Sequence, residues 1–340
     1  MASETLNVAV VGCGIFGEIH VATYADFGRT NLVAVCDINA ERAKEMGEKY
    51  GCESCTSVEE IAADASIQAV SVATPDFAHR DVCAALAGAG KHLLVEKPLA
   101  TSVADAQAIV DAITAAGVTG MIDFHNRYNP ALTAVKEPLD RGEMGRPLMM
   151  FGRLSDRIEV ATDWFDWSGR SGPEWFLGSH LTDMACWMFG QDPVRVYAEG
   201  RKEVLAARGV DCYDAMHIHL SFPGGFATLE TSWILPNTWP MVCDFFVSLQ
   251  TSEARADVDL SCQGPTIADP KQLARPFLYG MTPVAAEQFG FMSFPIREFV
   301  RAVLAGAPAP IPVTEGLKNV KILSAAVESA ETGQAVAIEL

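Results

Sequence analysis

Residues 11–17 read VGCGIFG, which places Gly12, Gly14 and Gly17 in a G-x-G-x-x-G run. Glycines at that spacing permit a tight turn and let a pyrophosphate approach the backbone, provided a strand precedes them and a helix follows. The helix then offers unpaired N–H groups and a positive dipole end to the phosphates. Ile15 and Phe16 belong to the same loop and are expected to border the same ligand. Asp37 lies 20 residues beyond Gly17. An acid there accepts hydrogen bonds from an adenosine ribose and repels a 2′-phosphate. Ile38 rather than an arginine follows it, so NAD is favoured over NADP, with the nearby Arg42 as the one opposing feature.

A second stretch, LLVEKPL at 93–99, closes an apolar run with Glu96, Lys97 and Pro98. Taken alone, Glu-Lys-Pro reads as an exposed turn. At the carboxyl end of a strand beside a nicotinamide, Lys97 instead hydrogen-bonds a substrate hydroxyl and helps to move its proton. The Lys97–Pro98 bond is a candidate for the cis form. In ATPDFAH, 73–79, Thr74 and Pro75 close another apolar run at the ligand edge, and His79 opens the next helix either as a cofactor contact or as a packing residue.

These residues need a parallel sheet to hold them. Apolar runs at 6–12, 31–37, 68–74, 92–98 and 118–124 read as strands, with a weaker one near 52–54. Helical patterns fill 15–27, 39–51, 57–64, 76–90 and 101–117. Strands that are apolar throughout and alternate with helices build a doubly wound sheet covered on both faces. The pattern changes after Phe124. A helix is expected over 129–142, a strand over 146–155, a loop over 156–173 and a helix over 174–190. Longer strands at 193–200, 213–222, 226–235 and 241–250 follow, with FPGGF as a hairpin turn, and imply an antiparallel sheet. Helices at about 284–305 and at 314–332 finish the chain. Two domains are expected, 1–123 for a dinucleotide and 124–340 for substrate binding and oligomerisation.

The bulk composition fits that reading. Of 340 residues, 49% are hydrophobic and 20% charged, as in a soluble globular protein. The net charge of −18 opposes attraction to nucleic-acid phosphates. No apolar stretch is long enough to span a membrane, and the amino terminus carries no basic region before its apolar run. Nine scattered cysteines suit buried thiols in a cytoplasmic setting, and the Cys52–Cys55 pair has no second pair to complete a zinc site. His217 and His219 share one strand face but lack further ligands, so no metal is expected.

VGCGIFG, ATPDFAH, VEKPL and FHNRYNP, in this order and spacing, resemble the glucose–fructose oxidoreductase / inositol dehydrogenase (Gfo/Idh/MocA) family over the full length. The resemblance implies an α/β Rossmann domain followed by an α+β domain with a large open, mostly antiparallel sheet. It implies NAD(P)-linked oxidation of sugars or polyols, dimers or tetramers through that sheet, and an active-site role for Lys97. The family usually carries Asp-x-Gly-x-His on a helix of the second domain, with the histidine as general base. Here FLGSHLTD matches at Gly178 and His180, but Phe176 replaces the aspartate. Asp183, three residues after His180, is the candidate to orient the imidazole or to bind substrate. Asn126 is expected at the nicotinamide; Arg127, Tyr128, Asp163, Trp164 and Phe176 are expected along the substrate, with a buried aromatic loop as the competing reading for 163–167. Two alternatives stay open: a dehydrogenase of dihydrodiols or other ketone substrates, and a non-catalytic NAD-binding sensor.

Overall fold

The computed structural model describes residues 5–340 except 262–263, 269, 271–272, 276–279, 281 and 285–286. The chain forms two compact units, Met1–His125 with Gly280–Leu317, and Asn126–Tyr279 with Lys318–Leu340.

The first unit holds β1 (Leu6–Val11), α1 (Ile15–Asp26), β2 (Thr30–Cys36), α2 (Ala40–Tyr50), β3 (Glu53–Cys55), α3 (Val58–Ala63), β4 (Ala69–Val72), α4 (His79–Gly88), β5 (His92–Glu96), α5 (Val103–Ala116) and β6 (Gly120–Asp123). All five strand pairs are parallel, in the order β3-β2-β1-β4-β5-β6. β4, β5 and β6 are buried almost without interruption, as strands covered on both faces must be. Local sequence sets the helix ends. The Asn39 side chain accepts from the backbone N–H groups of Glu41 and Arg42, and Gly51 closes α2 at φ 70°. The order reverses between β1 and β4, where such sheets bind ligands at the strands' carboxyl ends.

The sequence reading groups 280–317 with the second domain, whereas the described residues of this stretch belong to the first unit. The helix expected over about 284–305 begins at Ser293, with short strands before it; residues 285–286 lie outside those described. Its apolar side, including Ile296, Phe299 and Val300, is buried against α1, β5 and β6. Ile122 N–H donates to Ile311 O at 3.0 Å, tying the following segment to β6. Such long-range packing leaves no local mark in sequence.

The second unit begins with α6 (Pro130–Asp140), capped by Asn129, and β7 (Pro147–Arg157). α7 (Pro173–Phe176) and α8 (Gly178–Phe189) replace the single helix expected over 174–190; the break falls at Leu177. β8 (Arg195–Arg201), β9 (Ala215–Phe222), β10 (Gly225–Leu235), β11 (Cys243–Thr251) and β12 (Arg255–Asp259) follow. Two short ribbons come next, β13 (Ile267–Ala268) with β14 (Leu273–Ala274) in this unit and β15 (Thr282–Val284) with β16 (Glu287–Phe289) in the first. α9 (Ser293–Ala305), α10 (Val313–Thr332) and β17 (Val336–Ala337) end the chain. The second sheet runs β12-β11-β7-β10-β9-β8-β17. It is mixed and mostly antiparallel: β7 and β10 pair in parallel, the other neighbours antiparallel. The loop expected over 156–173 contains the end of β7 and a π-helical turn, Val160–Trp164. Among the described residues no helix is long and apolar enough to cross a membrane.

Candidate active site

β1 delivers the chain to Gly12, which adopts φ +97°; a Cβ there would stand 2.4 Å from Ala73 O. A Cβ on Gly17 would meet Gly12 O at 1.9 Å, so both positions demand glycine for backbone approach. Gly14 differs, because nothing lies within 4 Å of its missing Cβ. It caps α1 without a side-chain bond, so open space faces the helix amino terminus. This is the shape a pyrophosphate requires. Asp37 follows β2 directly, with Oδ2 accepting from Cys13 N–H and Oδ1 from Asn39 N–H, each at 2.8 Å. The two bonds hold the carboxylate against the glycine loop. Ile38 beside it is 96% exposed, and Ile15 is exposed as well.

At the end of β4, Thr74 and Pro75 are half-buried at the ligand edge. His79 is fully buried: Nε2 lies 3.0 Å from Thr74 O and Nδ1 3.1 Å from Leu99 O. Its ring braces two backbone segments, as the packing reading of this residue expects.

Lys97 closes β5 and is only 4% exposed. Its Nζ stands 5.3 Å from the centroid of the Phe16 ring, and the Lys97–Pro98 bond is cis. Burial and the ring face confine the side chain that the sequence alone leaves as a turn lysine. Glu96 turns inward. Its Oε2 accepts from Lys97 N–H at 3.1 Å, and its Oε1 accepts from His20 Nε2 at 3.0 Å. His20 Nδ1 lies 2.9 Å from Ser71 Oγ, which is 2.7 Å from the Tyr24 hydroxyl. Asp123, the register partner of Glu96, lies 3.6 Å from His20 Nε2. Burial raises the Asp123 carboxyl well above its ordinary range, and the Glu96 charge raises it further. Burial also works against a charged Glu96, but the His20 bond and charge outweigh it and hold that carboxyl below its ordinary range. His125 packs between Phe16 and Phe291, and burial lowers its pKa to about 4.

Sequence reasoning missed His20, Ser71, Asp123 and His125. A polar residue ending an apolar strand, as Glu96 and Asp123 both do, is the signal that was available.

In the second unit, a 3-10 turn over His125–Tyr128 presents Asn126 and Arg127 to α8. Asn126 Nδ2 lies 3.0 Å from His180 Nδ1, both residues being buried. The Asp183 carboxylate takes Arg127 Nε–H at 3.0 Å and Nη2–H at 2.6 Å. Asp183 thus clamps the turn that carries Asn126; the sequence reading had it orienting the imidazole or binding substrate. Phe176 sits in an aromatic cluster, with ring centroids 5.3 Å from Phe165, 5.6 Å from Trp233 and 6.1 Å from Trp167. A rigid apolar wall therefore stands where an aspartate was expected. Asp163 and Trp164 lie in the π-helical turn and are exposed, while Tyr128 is half-buried. His217 points to solvent near Glu230, at 3.3 Å, and His219 Nδ1 meets Thr228 Oγ1 at 3.2 Å.

Comparison with known proteins agrees with this construction. Residues 6–124 match the model of the oxidoreductase family with an NAD-binding Rossmann fold, and residues 132–253 match the GFO/IDH/MocA C-terminal domain. A D-apiose dehydrogenase of Paraburkholderia graminis is 33% identical over 221 residues, 63% of this chain. That match spans just over half of the relative, 57% of its length. An inositol 2-dehydrogenase of Rhizobium meliloti is 25% identical over 343 residues, covering 98% of this chain and 99% of the relative. The crystal structure of a myo-inositol 2-dehydrogenase from Lactobacillus plantarum shares the fold, with a TM-score of 0.86 at 21% identity over 99% of this chain and 100% of that one.

Proposed function

The chain belongs to the GFO/IDH/MocA oxidoreductase family, and from that premise we propose that it is an NAD-dependent dehydrogenase of a CH–OH carbon in a sugar, sugar derivative or cyclic polyol. One observation carries the reading: a buried lysine, Lys97, stands at the carboxyl end of β5 beside Phe16 of the glycine loop. A lysine is buried at a ligand edge when a ligand needs its charge or its proton.

The glycine loop and α1 would hold the pyrophosphate, Asp37 the adenosine ribose, and the exposed Ile38 the face of the base. The fixed Asp37 charge favours NAD over NADP. When bound, the cofactor supplies the nicotinamide that accepts or returns the hydride. Lys97 in the first unit and His180 in the second are the candidates for binding the substrate hydroxyl and handling its proton. Thr74, Pro75 and Glu96 support the cofactor side; Tyr128, Asp163 and Trp164 contact the substrate, and Phe176 and Arg127 stiffen the region around it. The described cysteines are free thiols, Cys13, Cys36, Cys83 and Cys186 among them buried, which supports a reducing cytoplasmic setting. Exposed Met149, Tyr197 and Phe226 on the second sheet support a homodimer or homotetramer through that face.

The test is a panel of inositols, pentoses and anhydrosugars with NAD, followed by NADH absorbance. Turnover of at least one is expected. The aromatic wall around Phe176 favours a second reading, a dehydrogenase of dihydrodiols. Aromatic diols in the same panel separate the two, and tight NAD binding with no turnover anywhere would sink both.

A further inference from the structure

Asn126 was expected to meet the nicotinamide, yet its amide is directed at a side chain of its own unit. Nδ2 lies 3.0 Å from His180 Nδ1, with Asn126 only 3% exposed and His180 6%. The backbone that carries the amide is fixed as well. Asn129 N–H donates to Asn126 O at 3.1 Å and closes the turn behind it. The neighbouring Arg127 is locked to Asp183, one helical turn beyond His180. Two adjacent residues of one turn thus grip two residues on one face of α8.

We propose that Asn126 is a positioning residue that sets which nitrogen of His180 carries the proton. An amide nitrogen only donates. Nδ1 must therefore offer its lone pair, and the neutral ring keeps its hydrogen on Nε2. An imidazolium would turn a second N–H against the amide nitrogen, so the contact disfavours it. His180 then meets the substrate oxygen as a hydrogen-bond donor, as neutral histidines do in some other enzymes. The C–H bond of the carbinol breaks with its electron pair going to the nicotinamide. The hydroxyl proton would have to pass to a base other than Nε2, for which Lys97, once it has released its own proton, is the candidate; the products would be a carbonyl, reduced cofactor and an ammonium. The family resemblance makes this histidine the general base; here the amide gives it a different task.

The proposal rests on the reading that His180 faces the substrate, and the experiment separates the two. Full-length protein labelled with 15N-histidine is compared with Asn126→Ala, Asn126→Asp and His180→Gln, the last identifying the His180 signals among seven histidines. In the wild-type protein Nε2 should be protonated and Nδ1 bare. In Asn126→Asp the proton should move to Nδ1, because a carboxylate only accepts. Turnover in both Asn126 variants should fall about 10- to 100-fold, as when a residue orienting a functional histidine is lost, with NAD affinity changed less than about threefold. A protonated Nδ1 in the wild-type protein overturns the proposal. So does loss of NAD affinity in Asn126→Ala with the His180 signals unmoved, which would make Asn126 a cofactor contact. Full turnover in His180→Gln removes the functional reading, and with it the catalytic consequence, even where the tautomer is as described.

Discussion

Glu96 and Asp123 are register partners at the carboxyl ends of β5 and β6, and their buried carboxyls are pushed in opposite directions, Glu96 below its ordinary range and Asp123 above it. His20 supplies the asymmetry. Its Nε2 stands 3.0 Å from Glu96 but 3.6 Å from Asp123, so the carboxylate form of Glu96 is the better stabilised of the two. Two like charges this close in a dry site do not both ionise.

Acid should therefore unfold the first unit in two windows. His125 titrates near 6.5 when unfolded and at about 4 when folded. The unfolded chain binds that proton first, so stability is lost as pH falls from 6.5 to about 4, by about 3 kcal/mol in total. Glu96 contributes stability that is present above its unfolded value of 4.5 and lost as pH falls below it. Urea unfolding at several pH values should show a flatter slope between roughly pH 6.5 and 5 in His125→Gln. An unchanged slope would remove His125 as the cause.

Asp123 has the opposite sign. Its folded pKa is raised above 3.8, so it lowers stability as pH rises through that value. Asp123→Asn should raise the melting temperature at neutral pH and have little effect near about pH 3. Lower stability of the variant at neutral pH would contradict the assigned direction of the shift.

Lys97→Ala should reduce kcat by about 100-fold or more, the usual weight of a group that moves a substrate proton. NAD affinity, read by fluorescence titration, should stay within about threefold, a shift of less than ~1 kcal/mol. Retained turnover would take the lysine out of the chemistry.

Asp37→Ser should raise NADP efficiency relative to NAD by about tenfold, the equivalent of ~1.4 kcal/mol of removed charge repulsion. Steady-state kinetics with both cofactors reads the ratio. No change in the ratio would mean that Asp37 does not select the cofactor.

Gly12→Ala should destabilise the first unit by about 1–3 kcal/mol from backbone strain alone. The clash with Ala73 O at 2.4 Å adds to that. Thermal unfolding measures it, and wild-type stability would show that the loop can relax.

Arg127→Met leaves the Asp183 carboxylate, 4% exposed, without its guanidinium, and should cost about 3–5 kcal/mol. Adding Asp183→Leu should recover much of that loss, because the buried charge goes with it. A double variant as unstable as the sum of the singles would argue against a coupled pair.

Some of this was readable from short spans. Gly12, Gly14 and Gly17 encode a backbone turn, Asp37 follows at a fixed distance, and the burial of β4 to β6 follows from apolar runs with no polar face. Lys97 was readable as the end of such a run. The partners of these residues were not. His20, Ser71, Glu96 and Asp123 come from four separate elements, and no spacing along the chain predicts that their side chains share one dry pocket. Nor does local pattern say that α9 covers β5 and β6, or that the turn carrying Asn126 grips α8.

Secondary structure, turn geometry and the identity of the chemical groups rest on neighbours a few residues apart, so the order of amino acids specified them directly. Protonation states, the tautomer of His180 and the confinement of Lys97 rest on burial and on partners distant along the chain. Those arise when many weak apolar contacts, none specific by itself, close around a polar group and withdraw its water.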